Sequence, residues 1–321
     1  MDGLPVPARS GGRRKCYSLR CTPSAPGAAA WGGLPERDRS LLRWLVVGEV
    51  VTSELAALLV YGSLRTARRR LGRMVELGLI RGFWAANSQR PRGRYAYTLV
   101  GSVRDELERG RGGSKRGRRR EGPGTTTIHQ LATSDLMAAF LRGAEPDRGL
   151  GLAAWLPERA VATLFDGYVE PDALAVIGTP SARICLLVER DLGTEPTSTV
   201  AAKAARYATL LGGEHELSVN VGIVVESARR SASIRRAIER AGARGPHVWV
   251  ATSTELLAAP YQGPWTAPDG RRCRTVDLPA EAVSETPVVG ALCLLDPDAA
   301  DVFEPSAIEV VPALERFVRH K

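Results

Sequence analysis

Carboxylate side chains flank two apolar segments of the sequence, residues 170–178 and 182–191. Asp172 lies at the start of the first segment, and Glu189 and Asp191 lie at the end of the second. The segments are predicted to be β-strands separated by a Thr-Pro-Ser turn, and residues two apart in a strand share a face, so Glu189 and Asp191 should point the same way. Acids that neighbouring strands bring to one edge can bind a divalent cation such as Mg²⁺, which can activate water for phosphodiester hydrolysis.

The same acids also fit a purely structural role. Strands often end in acidic residues, and Glu189 and Asp191 could pair with nearby arginines. Clustered acids raise one another's pKa, and a bound divalent cation relieves that repulsion. The acids alone therefore leave a metal site and a structural role both open.

The charge is distributed unevenly along the 321 residues. Residues 1–124 contain 25 Lys and Arg against 10 Asp and Glu, a net charge of +15, whereas residues 125–321 have a net charge of −6. This asymmetry indicates that the basic N-terminal part binds polyanions and that the mildly acidic part has a different role.

Other simple classes of protein are disfavoured. The five cysteines are odd in number and irregularly spaced, unlike a disulfide framework. No apolar run approaches the roughly 18 residues of a membrane span, and the N-terminus lacks the apolar core of a signal peptide. We therefore expect a cytoplasmic protein that does not associate with membranes.

Low-complexity segments divide the chain. Residues 1–33 are predicted to be a disordered basic tail, and the Arg- and Gly-rich residues 110–124 a flexible linker. Between them, residues 34–109 contain three predicted helices followed by two strands, LIRGFW and GRYAYTLV. That order predicts a winged helix-turn-helix domain, and residues 125–321 form a second domain.

The third predicted helix, residues 63–78, has two distinct faces. Apolar residues at steps of three and four form one face: Leu64, Ala67, Leu71, Met74 and Val75. The opposite face carries Arg65, Thr66, Arg69 and Arg73, with Arg70 beside it, and the hairpin adds Arg90, Arg92, Arg94 and Tyr95. Guanidinium groups on such a helix can reach guanine edges or phosphates in the major groove, so this surface predicts binding to double-stranded DNA.

The second domain alternates strands and helices. The two acid-bearing strands precede a helix, then strand–helix–strand steps, whereas residues 153–165 are expected to be amphipathic or irregular. This order predicts an α/β domain with a mixed central sheet.

The arrangement of acids resembles the PD-(D/E)xK nuclease superfamily, which implies a restriction-endonuclease-like fold. The resemblance assigns Asp172 and Glu189 as acids that bind Mg²⁺, and it implies a lysine that steadies the attacked phosphate or the attacking water. Asp191 stands where that lysine is expected, so the resemblance assigns Lys203, in the following helix, to the role. A helix-borne acid completes some of these sites, and Asp135 is the candidate here.

A second resemblance extends over roughly residues 34–240. LRTARRRLGRMVELGLI, GRYAYTLV, IHQLATSDLMAAFL and LLVERDLGTE resemble, in that order, the replication-relaxation proteins of actinobacterial plasmids and integrative elements. The family implies a DNA binder connected with plasmid replication and DNA relaxation. Its acid-x-acid-x-Gly-Thr-Glu pattern is matched by Glu189, Asp191, Gly193, Thr194 and Glu195. By that pattern, Asp191 is either part of a variant metal site with Asp172 and Glu189 or part of a retained scaffold.

Two hypotheses follow from the sequence. In the first, a mobile-element protein binds DNA and its second domain serves replication or relaxation, with Mg²⁺-dependent nicking if the site is active. In the second, the protein is a non-catalytic regulator whose second domain forms a homodimer or binds a partner. The hypotheses differ in whether Asp172, Glu189 and Lys203 converge in an open cleft or pair with arginines.

Overall fold

The structure is a computed structural model that describes residues 16–18, 33–85, 93–110, 125–162, 165, 168–211, 219–243 and 247–282. Most of the predicted tail and linker therefore lies outside the described residues. The helices are α1 (Glu36–Gly48), α2 (Ser53–Ala56), α3 (Leu64–Glu76), α4 (Gly101–Gly110), α5 (Thr125–Arg142), α6 (Glu158–Val161), α7 (Thr197–Leu211), α8 (Ala228–Arg240) and α9 (Ser253–Ala258). The strands are β1 (Cys16–Ser18), β2 (Val51–Thr52), β3 (Ile80–Ala85), β4 (Arg94–Leu99), β5 (Gly151–Pro157), β6 (Ala173–Gly178), β7 (Ala182–Asp191), β8 (Val219–Val225), β9 (Val248–Thr252), β10 (Pro264–Thr266), β11 (Arg272–Arg274) and β12 (Glu281–Ala282).

Helices α1–α3 pack beside a small antiparallel sheet with the strand order β1-β3-β4-β2. Two helices begin at local capping signals: the Thr52 hydroxyl accepts a hydrogen bond from Leu55 N at 3.1 Å, and the Ser63 hydroxyl accepts one from Thr66 N at 3.2 Å. The order of three helices and a hairpin agrees with the sequence prediction. Strand β1 differs from it, because these residues of the predicted disordered tail pair with β3.

Eight strands form the larger sheet, in the order β11-β10-β9-β8-β7-β6-β5, with β12 paired to the start of β7. Neighbours from β5 to β7 are antiparallel, β7, β8 and β9 are parallel, and β10 and β11 add an antiparallel edge. Every residue of β8 is buried, which is typical of a central strand covered on both faces. The predicted mixed sheet is thereby confirmed.

Strand β5 corrects the prediction for residues 153–165. Gly151–Pro157 pairs along the length of β6, and the short helix α6 begins directly after Pro157. The segment is a strand because β6 supplies its hydrogen-bonding partner, and Trp155 and Leu156 are both buried. Its position at the edge of the sheet brings Glu158, the first residue of α6, close to the start of β6 and the end of β7.

Two hydrophobic clusters cover the two faces of the larger sheet. Side chains of β7 alternate between them: Leu187 packs with α7 and α8, whereas Leu186 and Val188 join a cluster that continues through α5 and α9 into α1–α3. The alternation directs Glu189 and Asp191 to the side of α7 and α8. Within the described part of the chain, no helix has the length and apolar character needed to cross a membrane.

Candidate functional sites

Helix α3 has a buried face and an exposed basic face. Ala67, Leu71 and Met74 are completely buried, whereas Leu64, which was predicted to pack inward, is 36% exposed at the start of the helix. The exposed arginines are Arg65, Arg68, Arg69 and Arg73, and Thr66 is partly buried. Arg68 was missed by the sequence analysis, although it lies one turn from Arg65 on the same side. We call Arg65, Arg68 and Arg69 the α3 arginine face.

The α3 arginine face makes no ion pair with any residue that the structure describes. Arg73, by contrast, pairs with Glu76 at 3.0 Å, and both side chains are more than half exposed. The Ser63 hydroxyl donates a hydrogen bond to Thr66 Oγ1 at 2.9 Å, so the Thr66 side chain belongs to the helix cap. The three arginines of the face are therefore exposed charges of this helix without an ion-pair partner among the described residues.

Arg70, which was predicted to contact DNA, forms an ion pair inside the protein. Its guanidinium binds both carboxylate oxygens of Asp38, with Nε 3.1 Å from Oδ1. Asp38 is completely buried and also accepts a hydrogen bond from the Tyr61 hydroxyl at 2.8 Å. The hydrogen bond to Asp38 raises the pKa of Arg70, and burial together with Asp38 raises the pKa of Tyr61. Arg70 thus ties α3 to α1.

The residues of the β3–β4 hairpin that were predicted to contact DNA differ in their exposure. Arg94 binds the Asp135 carboxylate and the Leu131 carbonyl of α5, so it links β4 to α5 and is mostly buried. Asp135, the helix-borne acid predicted for the metal site, is thus engaged in an ion pair. Tyr95 is 46% exposed and packs edge-on against Trp84, with ring centroids 5.1 Å apart, so it remains on the surface. Arg90 and Arg92 lie outside the described residues.

The predicted catalytic residues Asp172, Glu189, Asp191 and Lys203 line a single cavity of about 320 Å³. The cavity lies where β7 ends, between α6 and α7. Five further ionisable residues of its lining were not predicted, which are His129, Glu158, Glu170, Arg190 and Tyr207. Glu195, named from the sequence only as part of the family pattern, also lines it. We call this feature the acid cavity. Asp172, Glu189 and Lys203 therefore face the same cavity.

Asp172 is held by α5 and by the backbone of β7. Its Oδ2 accepts a hydrogen bond from Arg190 N at 2.5 Å, and its Oδ1 lies 3.3 Å from His129 Nδ1. His129 Nε2 contacts the Arg190 carbonyl, which can only accept, so Nε2 carries a hydrogen. Burial raises the pKa of Asp172 to about 7 and lowers the pKa of His129. A proton on Asp172 can then be donated to His129 Nδ1.

Glu189 lies at the centre of a second set of contacts. Its Oε1 accepts a hydrogen bond from the Tyr207 hydroxyl at 2.5 Å, and its Oε2 lies 3.9 Å from Lys203 Nζ. Burial, and then the charge of Asp172, raise the pKa of Glu189 to about 8. Burial disfavours the charged form of Lys203, but Glu189 and Glu195 outweigh it, so the pKa of Lys203 is raised. Lys203 Nζ lies 3.2 Å from Glu195 Oε2.

Asp191 lines the cavity but is bound by an arginine. Arg230 of α8 donates to both oxygens of Asp191, at 2.6 and 3.1 Å, and Gly193 N donates to Oδ1 at 3.1 Å. Asp191, one of the three predicted metal-binding carboxylates, is thus held in an ion pair. Within the described ranges, no three His, Cys, Asp or Glu side chains are placed to hold a metal ion together.

Comparison with known proteins gives one match. A family model described as replication-relaxation matches residues 42–225, more than half of the chain. The matched segment extends from α1 to β8 and so includes both the α3 arginine face and the acid cavity. No curated protein and no solved structure matches the chain.

Proposed function

Because the chain belongs to the replication-relaxation family, which suggests a role in plasmid replication or relaxation, we propose that it binds duplex DNA through α3. The observation that carries this proposal is the α3 arginine face, three exposed arginines without an ion-pair partner in the described chain. A solvent-exposed row of unpaired guanidinium groups fits the phosphates and guanine edges of a duplex.

The surroundings of α3 support the same function. Three helices followed by the β3–β4 hairpin have the order of a winged helix-turn-helix, in which the recognition helix enters the major groove. The exposed Tyr95 on β4 is available for a further contact to the DNA backbone. The contacts of Arg70 and Arg94 position this surface, because they fix α3 to α1 and β4 to α5.

Duplex binding by wild type and by the double variant Arg65→Gln/Arg69→Gln tests the proposal in a gel shift. We expect the variant to lose at least about tenfold in affinity, because each lost arginine contact to phosphate or base contributes roughly 1 kcal/mol or more. The matched control is Arg142→Gln/Arg272→Gln, which removes two exposed arginines elsewhere. Equal affinities for the two double variants would count against the α3 arginine face.

A second function is favoured by the convergence of Asp172, Glu189 and Lys203 on the acid cavity. We propose that the cavity binds Mg²⁺ and cleaves one strand of DNA, as in the PD-(D/E)xK nucleases that it resembles. Asp172 and Glu189 suit this cation, because Mg²⁺ is commonly held by one or two carboxylates together with waters. Their pKa values are raised, and a nearby cation would stabilise their charged forms. Bound Mg²⁺ would supply water activation and stabilisation of the leaving alkoxide.

The neighbouring residues have distinct tasks in this proposal. Tyr207 fixes the orientation of Glu189, and His129 fixes Asp172 against the end of β7. Lys203 can turn from Glu195 towards an entering phosphate. Asp191 stays with Arg230 and keeps α8 against the sheet.

Nicking of supercoiled plasmid with Mg²⁺ or Mn²⁺ tests this second function. We expect Asp172→Asn and Glu189→Gln each to reduce the nicking rate by roughly 100-fold or more, because each variant removes a charged ligand. Glu239→Gln, at an exposed acid of α8, should nick like wild type. Equal nicking by all of these proteins, or none by wild type, would instead support a non-catalytic regulator whose α/β part dimerises or binds a partner.

A further inference from the structure

Helix α8 carries a row of arginines on its outward face. Arg229, Arg236 and Arg240 are exposed, and at 3.6 residues per turn these positions fall within about 40° of one another around the helix axis. The opposite face, with Ile234 and Ile238, is completely buried against the sheet. We call the three arginines the α8 row.

Nothing in the described part of the chain neutralises the α8 row. None of its three arginines forms an ion pair there, although Arg230, the residue next to Arg229, is paired with Asp191. Arg236 and Arg240 lie one turn apart, where two like charges destabilise a helix. Repulsion within the row thus lowers the stability of the helix, and an anionic partner would reduce that repulsion.

The shape and setting of the row indicate which partner. It spans about 16 Å along the helix, enough to meet several phosphates of one nucleic-acid strand. It also concentrates positive charge in residues 125–321, which have a net charge of −6. We propose that the α8 row is a second DNA-contact surface, which binds the phosphate backbone irrespective of sequence; the identity of the partner rests on the proposed function.

One end of the α8 row lies near the acid cavity, because Arg229 is followed directly by Arg230. Arg230, in the first turn of α8, binds the Asp191 carboxylate and donates to the Glu195 carbonyl at 2.6 Å, and both of these residues line the cavity. A DNA strand held by the row would therefore pass near the cavity at the Arg229 end of α8.

The double variant Arg229→Gln/Arg236→Gln tests the α8 row, by fluorescence anisotropy on two duplexes of unrelated sequence over a range of salt concentrations. We expect weaker binding by the same factor on both duplexes, and a slope of log K against log [salt] that is smaller by about 2, because two phosphate contacts are lost. The control Arg142→Gln/Arg272→Gln should keep the wild-type slope, and thermal unfolding should show that both variants fold.

The α8 row and the α3 arginine face can fail separately. If the α8 variant matches the control while Arg65→Gln/Arg69→Gln binds weakly, the α8 inference is overturned and the proposed function stands. If only the α8 variant binds weakly, the α8 inference stands and the role of α3 fails. A wild-type protein that binds no duplex at all overturns both.

Discussion

Replacing Arg70 with alanine should lower the free energy of unfolding by about 3–5 kcal/mol, because it leaves the buried Asp38 carboxylate without its cation. Among the described residues, Asp38 would then keep only the hydrogen bond from Tyr61, and its carboxylate is completely buried. Chemical denaturation measures the loss. A DNA-binding defect in this variant would then reflect instability of the fold rather than a lost contact to DNA.

Two controls separate this effect from a general effect of removing arginine. Arg69→Ala, one residue away on the exposed face, should change the free energy of unfolding by no more than about 0.5 kcal/mol. The double variant Asp38→Leu/Arg70→Met should be more stable than Arg70→Ala, because it removes both charges together. Wild-type stability of Arg70→Ala would contradict the structural role of the pair.

The acid cavity should make the stability of the protein fall as the pH rises. In the folded state the pKa of Asp172 is about 7 and that of Glu189 about 8, whereas in an unfolded chain both carboxyls titrate near pH 4. The folded state therefore binds more protons between these limits. The stabilisation associated with the protonated carboxyls is fully present below about pH 4 and is lost as the pH rises through 7 to 8.

Urea denaturation in EDTA at pH 5.5 and pH 8.5 measures this dependence. We expect wild type to lose on the order of 5 kcal/mol between the two values, since one pKa unit corresponds to about 1.4 kcal/mol. Asp172→Asn and Glu189→Gln should each reduce the loss, and the exposed-site variant Glu239→Gln should not. A wild-type stability that stays constant or rises over this range would show that the two carboxyls are not protonated in the folded protein.

Local signals predicted the start and the buried face of α3. Ser63 caps the helix through its own hydroxyl, and Ala67, Leu71 and Met74 follow the helical repeat, so each feature depends on residues close in sequence. The exposure of Leu64 was not predicted, because periodicity identifies a face of a helix but not how far the neighbouring elements cover it.

Ion pairs between distant elements were not predictable in the same way. Arg70 binds a carboxylate 32 residues away, and Arg94 binds one 41 residues away. In the sequence, both arginines lie beside other basic residues that were predicted to contact DNA. Their acidic partners become evident only from the packing of α3 on α1 and of β4 on α5. A count of basic residues on a helix therefore overstates the charge that it offers to DNA.

In the acid cavity, too, some residues could be predicted from the sequence and others could not. Asp172 and Glu189 were predicted to lie together because Asp172 precedes one strand and Glu189 lies at the end of the next. In two antiparallel neighbours, these positions are side by side. Glu158 and His129 were missed, because their positions depend on β5 joining the edge of the sheet and on α5 packing against β7. Tyr207 had a usable signal, since it lies four residues after Lys203 and thus on the same side of α7.

The most direct measurement of the central claim is the salt dependence of duplex affinity for wild type and for Arg65→Gln/Arg69→Gln. A DNA surface on α3 predicts that log K falls linearly with log [salt] for wild type, and that the slope of the variant is smaller by about 2. Arg142→Gln/Arg272→Gln should retain the wild-type slope. A variant that keeps both the affinity and the slope of wild type would contradict the assignment of the α3 arginine face to DNA.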